Sequence, residues 1–252
     1  MRKKTFLMLI VILMFLTLMF QNAYGAIYMK QKQHTDAVKI MGNTQPAQDL
    51  IVESWITSNK MVIMNKKQKI IIDIDKKINT IANHEKKTIV SMPMDFSKNM
   101  DKKIGDMSPE DKAIFQQFMG KMMQFNVKVE EKNERKKIGK WNCRKYIQTI
   151  EMVMGTINSE IWATQDIKVD EELYAKYSAG MLAQIPGMSQ NISAIMQEIK
   201  KINGVHVYSK QTIIIMGQSM KSSVELMEFK EDKAPVNIFD LPSGYKQTDA
   251  FK

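Results

Sequence analysis

Between residues 26 and 93 the apolar positions fall in short β-branched runs broken by small polar clusters. The runs at 48–57, 60–64, 68–74, 78–81 and 86–92 predict strands. Ser58-Asn59, Asn65-Lys66-Lys67, Asp75-Lys76-Lys77 and Asn83-His84-Glu85 predict the turns between them. Connections this brief fit antiparallel hairpins, because a parallel pair needs a crossover of about a dozen residues or more. The period then changes. Ser108-Pro109-Glu110-Asp111 reads as a helix start, with Ser as N-cap, Pro in the first turn and acids at the positive end of the dipole. Ile114, Phe115, Phe118, Met119, Met122 and Met123 follow at helical spacing on one face. Strands return at 125–132, 141–154 and 157–165. Asp170-Glu171-Glu172 opens a second helix carrying Leu173, Tyr174, Tyr177, Met181 and Leu182, and Pro186-Gly187 breaks it. Ser189 caps a third, whose stripe is Ile192, Ile195, Met196, Ile199 and Ile202 and whose stop is Asn203-Gly204. Strands at 205–216 and 219–229 and a tail bounded by prolines complete the chain. The helices interrupt a strand series rather than alternate with it. The expected fold class is therefore α+β, a long antiparallel sheet whose concave face is covered by helices.

Residues 1–25 stand outside this pattern. Arg2, Lys3 and Lys4 precede an apolar run from Phe6 to Phe20, and Ala23-Tyr24-Gly25 supplies small residues at a cleavage site. This is the layout of a signal peptide, followed by a single domain over 26–252. The apolar run is short for a membrane span. The expectation is an exported protein of the periplasm or cell envelope, soluble once the peptide is cleaved. Cleavage would take three of the 37 cations and none of the 27 anions, so the formal charge falls from +10 to +7. The single Cys rules out an intramolecular disulfide framework and a Cys-based zinc cluster.

Candidate chemistry is sparse. No Gly-x-Ser-x-Gly elbow, His-Glu-x-x-His or Gly-rich phosphate loop is present. Asp73 and Asp75 share a strand face, but Lys76 and Lys77 beside them read as a solvated turn. Cys143 reads as a structural strand residue. The basic pairs Lys66-Lys67, Lys76-Lys77, Lys86-Lys87 and Arg135-Lys136-Lys137 sit at turns, where lysines guard sheets against edge-to-edge pairing. Export argues against a nucleic-acid partner, and attraction to an anionic membrane surface is the second reading of these pairs. No catalytic residue, cofactor or metal ligand is expected, and the protein reads as a non-enzyme.

The 23 Met are the unusual count, and 19 remain without residues 1–25. They gather at Met92 to Met107, at Met119, Met122 and Met123, and at Met181, Met188 and Met196. Met is flexible and polarizable and suits adaptable apolar surfaces. Three readings stand: core filler, the lining of an apolar cavity, and soft ligands for Cu(I). No His lies in the groups, which disfavours copper.

Several segments resemble a bacterial exported family, the domain of unknown function numbered 4412, related to the LolA/LolB-like lipoprotein-carrier superfamily. They are Trp55 to Met61, Ile70 to Lys77, Ile138-Gly139-Lys140-Trp141-Asn142-Cys143-Arg144-Lys145-Tyr146, Glu160-Ile161-Trp162-Ala163-Thr164 and Phe239-Asp240-Leu241-Pro242-Ser243-Gly244-Tyr245. The resemblance implies a strongly bent antiparallel sheet, an incomplete β-barrel, with helices plugging its open side and an acyl chain in the cavity. It brings no catalytic residues. The expected lining is Trp55, Phe115, Phe118, Met119, Met122, Trp162, Ile195, Met196 and Ile199. The expected function is a binding protein for an acyl chain, lipid or lipoprotein-like apolar ligand. The alternatives are an envelope interaction or stress module without a cavity, and a Met-rich Cu(I) binder.

Overall fold

The structure is a computed structural model, and it describes residues 25–40, 43–93, 108–111, 113, 125–153, 155–182, 192–215 and 217–248. Residues 1–24 of the expected signal peptide and most of the helix expected after Ser108 lie outside these residues. The start of that helix is within them: the Asp111 amide donates to Ser108 Oγ at 3.1 Å, the predicted cap.

β1 (Ala26–Thr35) leads through a small ribbon, β2 (Val38–Ile40) and β3 (Asn43–Gln45), into β4 (Gln48–Ile56). β5 (Lys60–Met64), β6 (Gln68–Asp73), β7 (Ile78–Asn83) and β8 (Thr88–Pro93) continue as antiparallel hairpins. β9 (Phe125–Ile138), β10 (Trp141–Met152) and β11 (Gly155–Thr164) begin a second meander. After the helices α1 (Glu171–Leu182) and α2 (Ile192–Ile199), β12 (Val205–Ile215) and β13 (Gln218–Asp232) extend it. β14 (Lys246–Thr248) closes the series.

The tight turns follow from side-chain chemistry. Asn65 Oδ1 accepts from the Lys67 amide at 2.8 Å, Asp73 Oδ1 from the Lys76 amide at 3.0 Å, and Asn83 Oδ1 from the Lys86 amide at 2.8 Å. Each mimics a backbone turn and fixes the register of its hairpin. Asp73 thus serves its turn rather than an acid–base pair.

The expected architecture needs correction. The strand order is β14-β8-β7-β6-β5-β4-β1-β13-β12-β11-β10-β9, a single twelve-stranded sheet. It is mixed, because β14 runs parallel to β8. It is not a strongly bent antiparallel half-barrel with helices covering a concave face. The reason is one of size. β1 pairs with β4 on one side and β13 on the other, so two meanders merge into one sheet. Twelve strands at about 4.8 Å spacing are roughly 50 Å across. A helix of 12 residues such as α1 is about 18 Å long. Among the described residues, α1 and α2 reach only part of such a surface, and β14 and β9 stand at opposite ends of the strand order.

Alternation sorts the core. Ile27 and Met29 of β1, Val52 and Ile56 of β4, Met61 and Ile63 of β5, and Ile70 and Ile72 of β6 pack with Tyr174 and Tyr177 of α1. The intervening residues Tyr28, Trp55, Val62 and Ile71 face the other way, where Ile238 and Phe239 of the C-terminal segment pack on them. In the second meander Val127, Ile150 and Ile157 pack on Ile195 and Ile199 of α2. Tyr146, Ile161 and Ala163 pack on Ile202 just after it.

Asp170 anchors α1, its Oδ1 accepting from the Leu173 amide at 2.9 Å. Asp170→Ala is expected to cost about 1 kcal/mol. At 2–4 °C per kcal/mol that is roughly a 3 °C fall in melting temperature by circular dichroism. An unchanged midpoint would show that α1 is held by its tyrosines alone.

Candidate binding groove

Where α1 and α2 lie on the sheet, they leave two adjoining cavities. The larger, about 280 Å³, lies between the first half of α1 and the end of α2, with Glu171, Glu172 and Lys200 in its lining. The smaller, about 140 Å³, lies between the helices and the sheet. Tyr174, Ile199 and His206 line both. Together they reach the range of about 300–1,000 Å³ in which small-molecule sites fall.

Tyr174 and His206 form the wall between the cavities. Their rings meet edge-on at 5.7 Å, and the Tyr174 hydroxyl accepts from the His206 amide at 2.9 Å. His206 is half-buried as a residue, yet its Nε2 is shut off from solvent and has no hydrogen-bond partner among the described residues. Burial disfavours the imidazolium and lowers the His206 pKa to about 4. Burial likewise raises the Tyr174 hydroxyl well above its ordinary value. It pushes Tyr177 up to about 12, with the Ser54 hydroxyl acting in the opposite sense. All three groups are therefore uncharged near neutral pH.

The helices and β13 supply Ile199, Tyr177, Val224 and Leu226 to the walls of the smaller cavity, with Ser178 of α1 beside them. The other strands contribute Ile161 from β11 and Val207 and Tyr208 from β12, and beside them the polar residues Gln31 and Gln33 from β1, Ser209 and Gln211 from β12, and Gln148 from β10. Register aligns two of these. Thr35 pairs with Ser222, Ser222 with Gln211, Gln211 with Ser159, and Ser159 with Gln148, so one polar row crosses five strands and enters the cavity lining at Gln211 and Gln148. Gln148 is 6% and Ser159 2% exposed.

The residues expected to line a cavity are dispersed. Ile195 and Met196 pack into the α2 cluster, and Ile199 does so while lining both cavities. Trp55 lies on the other face, its ring 4.9 Å from Tyr28, under Ile238 and Phe239. Trp162 is buried in the cluster of Ile27, Met29, Cys143 and Tyr174 but lines neither cavity. Its indole donates to Glu160 Oε1 at 2.9 Å, and the Lys136 and Lys145 ammonium groups lie 5.8 Å from its ring. Lys145 in turn bridges Glu134 and Glu160 at 3.0 and 3.1 Å. Phe115, Phe118, Met119 and Met122 lie outside the described residues. The polar row and the Tyr174–His206 wall were missed. Their signal is polar residues in the inward register of strands: Gln148 between Tyr146 and Ile150, and Ser159 between Ile157 and Ile161.

Cys143 is a buried free cysteine on β10, away from these cavities. Burial raises its pKa, which suppresses the thiolate. Among the described residues no cluster of three or more His, Cys, Asp or Glu is arranged to hold a metal ion, and no helix is long and apolar enough to cross a membrane.

No family model matches the chain, and no curated protein matches it. Membership of the family numbered 4412 is therefore not supported by these comparisons. Among solved structures, a DUF1329 family protein from Desulfovibrio piger is similar over 89% of this chain and 93% of that chain. The identity is 6% and the TM-score 0.33.

Proposed function

We propose that the protein is a non-catalytic binding protein that holds a small, largely apolar ligand in the groove between α1, α2 and the sheet. The observation that carries the reading is the pair of adjoining cavities sharing Tyr174, Ile199 and His206. Aliphatic and aromatic side chains there offer burial worth about 0.8 kcal/mol per methylene of ligand. The sequence resemblance to exported carriers of acyl chains points to an alkyl chain as the apolar part. The leader-like residues 1–25 place the protein, on this reading, in the cell envelope. The basic turn residues give it a weak affinity for anionic membrane surfaces.

The test is titration of the full chain with N-phenyl-1-naphthylamine, an uncharged apolar fluorophore, alongside mass spectrometry of organic extracts of the purified protein. Saturable fluorescence enhancement is expected. Ser178, on the α1 wall of the smaller cavity, gives the blocking variant. Ser178→Phe fills that space and is expected to weaken binding roughly tenfold, about 1.4 kcal/mol. A wild-type chain that neither binds the fluorophore nor carries an extractable lipid would defeat the reading.

A further inference from the structure

We infer that the groove selects a ligand whose polar end is uncharged and both donates and accepts hydrogen bonds, of the kind found in the glycerol head of a monoacylglycerol. This rests on the reading of the groove as a binding site. It goes beyond that reading by assigning the chemistry of the ligand's head. The first observation is the polar row itself. Inward-facing positions of a sheet under helices are normally apolar, yet Gln211 and Gln148 line the cavity there, joined in register through Ser159, which lies outside the lining. Ser209 and Gln33 lie nearby on the same cavity wall.

The second observation is independent of that placement. His206 Nε2, in the lining, is shut off from solvent and has no partner among the described residues, and the Oγ of Ser159, between Gln148 and Gln211 in register but outside the lining, is likewise unpaired. Buried polar atoms in folded proteins are nearly always paired, and those that are not call for an explanation. No side-chain hydrogen bond joins Gln148, Gln211 or Gln33 to another described residue. Each carboxamide presents both donors and an acceptor, and a serine hydroxyl does the same. A ligand hydroxyl or amide could satisfy several of them at once.

The third observation decides the charge. The smaller cavity has no Lys, Arg, Asp or Glu in its lining, and burial keeps His206 neutral. A carboxylate or phosphate placed there would be desolvated without a counter-charge, which is far costlier than burying a neutral hydroxyl. The charged residues of the site, Glu171, Glu172 and Lys200, belong to the larger cavity alone.

The experiment compares 1-monooleoylglycerol with oleate, which has the same chain and an ionised head. Both are titrated against the full chain below their aggregation concentrations by calorimetry at neutral pH. Monooleoylglycerol is expected to bind at least tenfold more tightly. Gln148→Leu and Gln211→Leu are expected to reduce that ratio severalfold. Ser209→Ala, which removes only a hydroxyl from the cavity wall and so preserves the fold, is expected to narrow the ratio in the same direction. Oleate binding as tightly as the glyceride, or a ratio insensitive to Gln148→Leu, Gln211→Leu and Ser209→Ala, overturns the inference and leaves the binding reading intact. Failure of both lipids to bind overturns both.

Discussion

Gly204→Ala is expected to cost about 3 kcal/mol, near the top of the range for enforced backbone strain. Gly204 follows α2 and enters β12 with φ +102, a conformation that L residues rarely adopt. An added Cβ would stand 2.0 Å from the Thr164 carbonyl oxygen and 2.5 Å from its carbon. Thr164 pairs with Val205 in the ladder, so the obstructing atoms are backbone and cannot rotate away. At 2–4 °C per kcal/mol the melting temperature falls roughly 6–12 °C. Gly217→Ala is the control: its φ is +77, but nothing lies within 4 Å of the added methyl. Conformational preference alone predicts about 1 kcal/mol there. Equal shifts for the two variants in a thermal melt would refute the steric argument.

The second large effect is a loss of stability on mild acidification, driven by His206. Its folded-state pKa is lowered by burial from 6.5 to about 4. Between those values the unfolded chain binds the proton and the folded chain does not, so stability falls as pH falls through the window. One pKa unit corresponds to about 1.4 kcal/mol, so lowering the pH from 7 to 5 costs up to about 2 kcal/mol from this residue. Other groups titrate nearby. Glu160 and Glu198 are lowered by their hydrogen bonds, first from Trp162 and from Lys201 respectively, and act in the same sense at lower pH. His34 is raised by its hydrogen bond to Asp49 and acts in the opposite sense. His206→Phe isolates the term, because it keeps a ring against Tyr174 and removes the titration. Urea midpoints at pH 5 and pH 7 should differ more for the wild type than for the variant. Identical pH responses would show that His206 is hydrated in the folded state.

The strands were legible because their signals are local. Asn65, Asp73 and Asn83 mark the hairpin turns by side-chain hydrogen bonds that any such sequence can form. Asp170 and Gly204 marked the ends of the helical insertion for the same reason. β9 runs on to Ile138 past its apolar part, because Glu131 and Glu134 reach Arg144 and Lys145 of β10 and keep the polar half paired. No local pattern could show that. Nor could one show that β1 pairs with β13, or that β14, only three residues long, joins β8 in parallel. These are long-range pairings, and they turned an expected half-barrel into a wide mixed sheet. The site was legible only in part. Ile199 stood on an apolar stripe as expected, whereas the polar row is a property of neighbouring strands and exists only once register is fixed. Trp55 was misleading because a large aromatic announces burial without saying on which face; here it lies under Phe239.

The position of β1 also sets an order of assembly. Ala26 pairs with Asp232, so the join between the meanders encloses nearly the whole chain. β1 can pair with β4 early, since a short ribbon separates them, but its other edge stays open until β13 arrives. Loop closure over such a length is entropically unfavourable and slow. Until it happens, the chain exposes an unpaired edge bearing Ile27, Tyr28 and Met29, which other chains could extend. Keeping other chains away from that edge in the interval, by a chaperone or by dilution during refolding, should raise the yield of folded protein more than added stability in either meander.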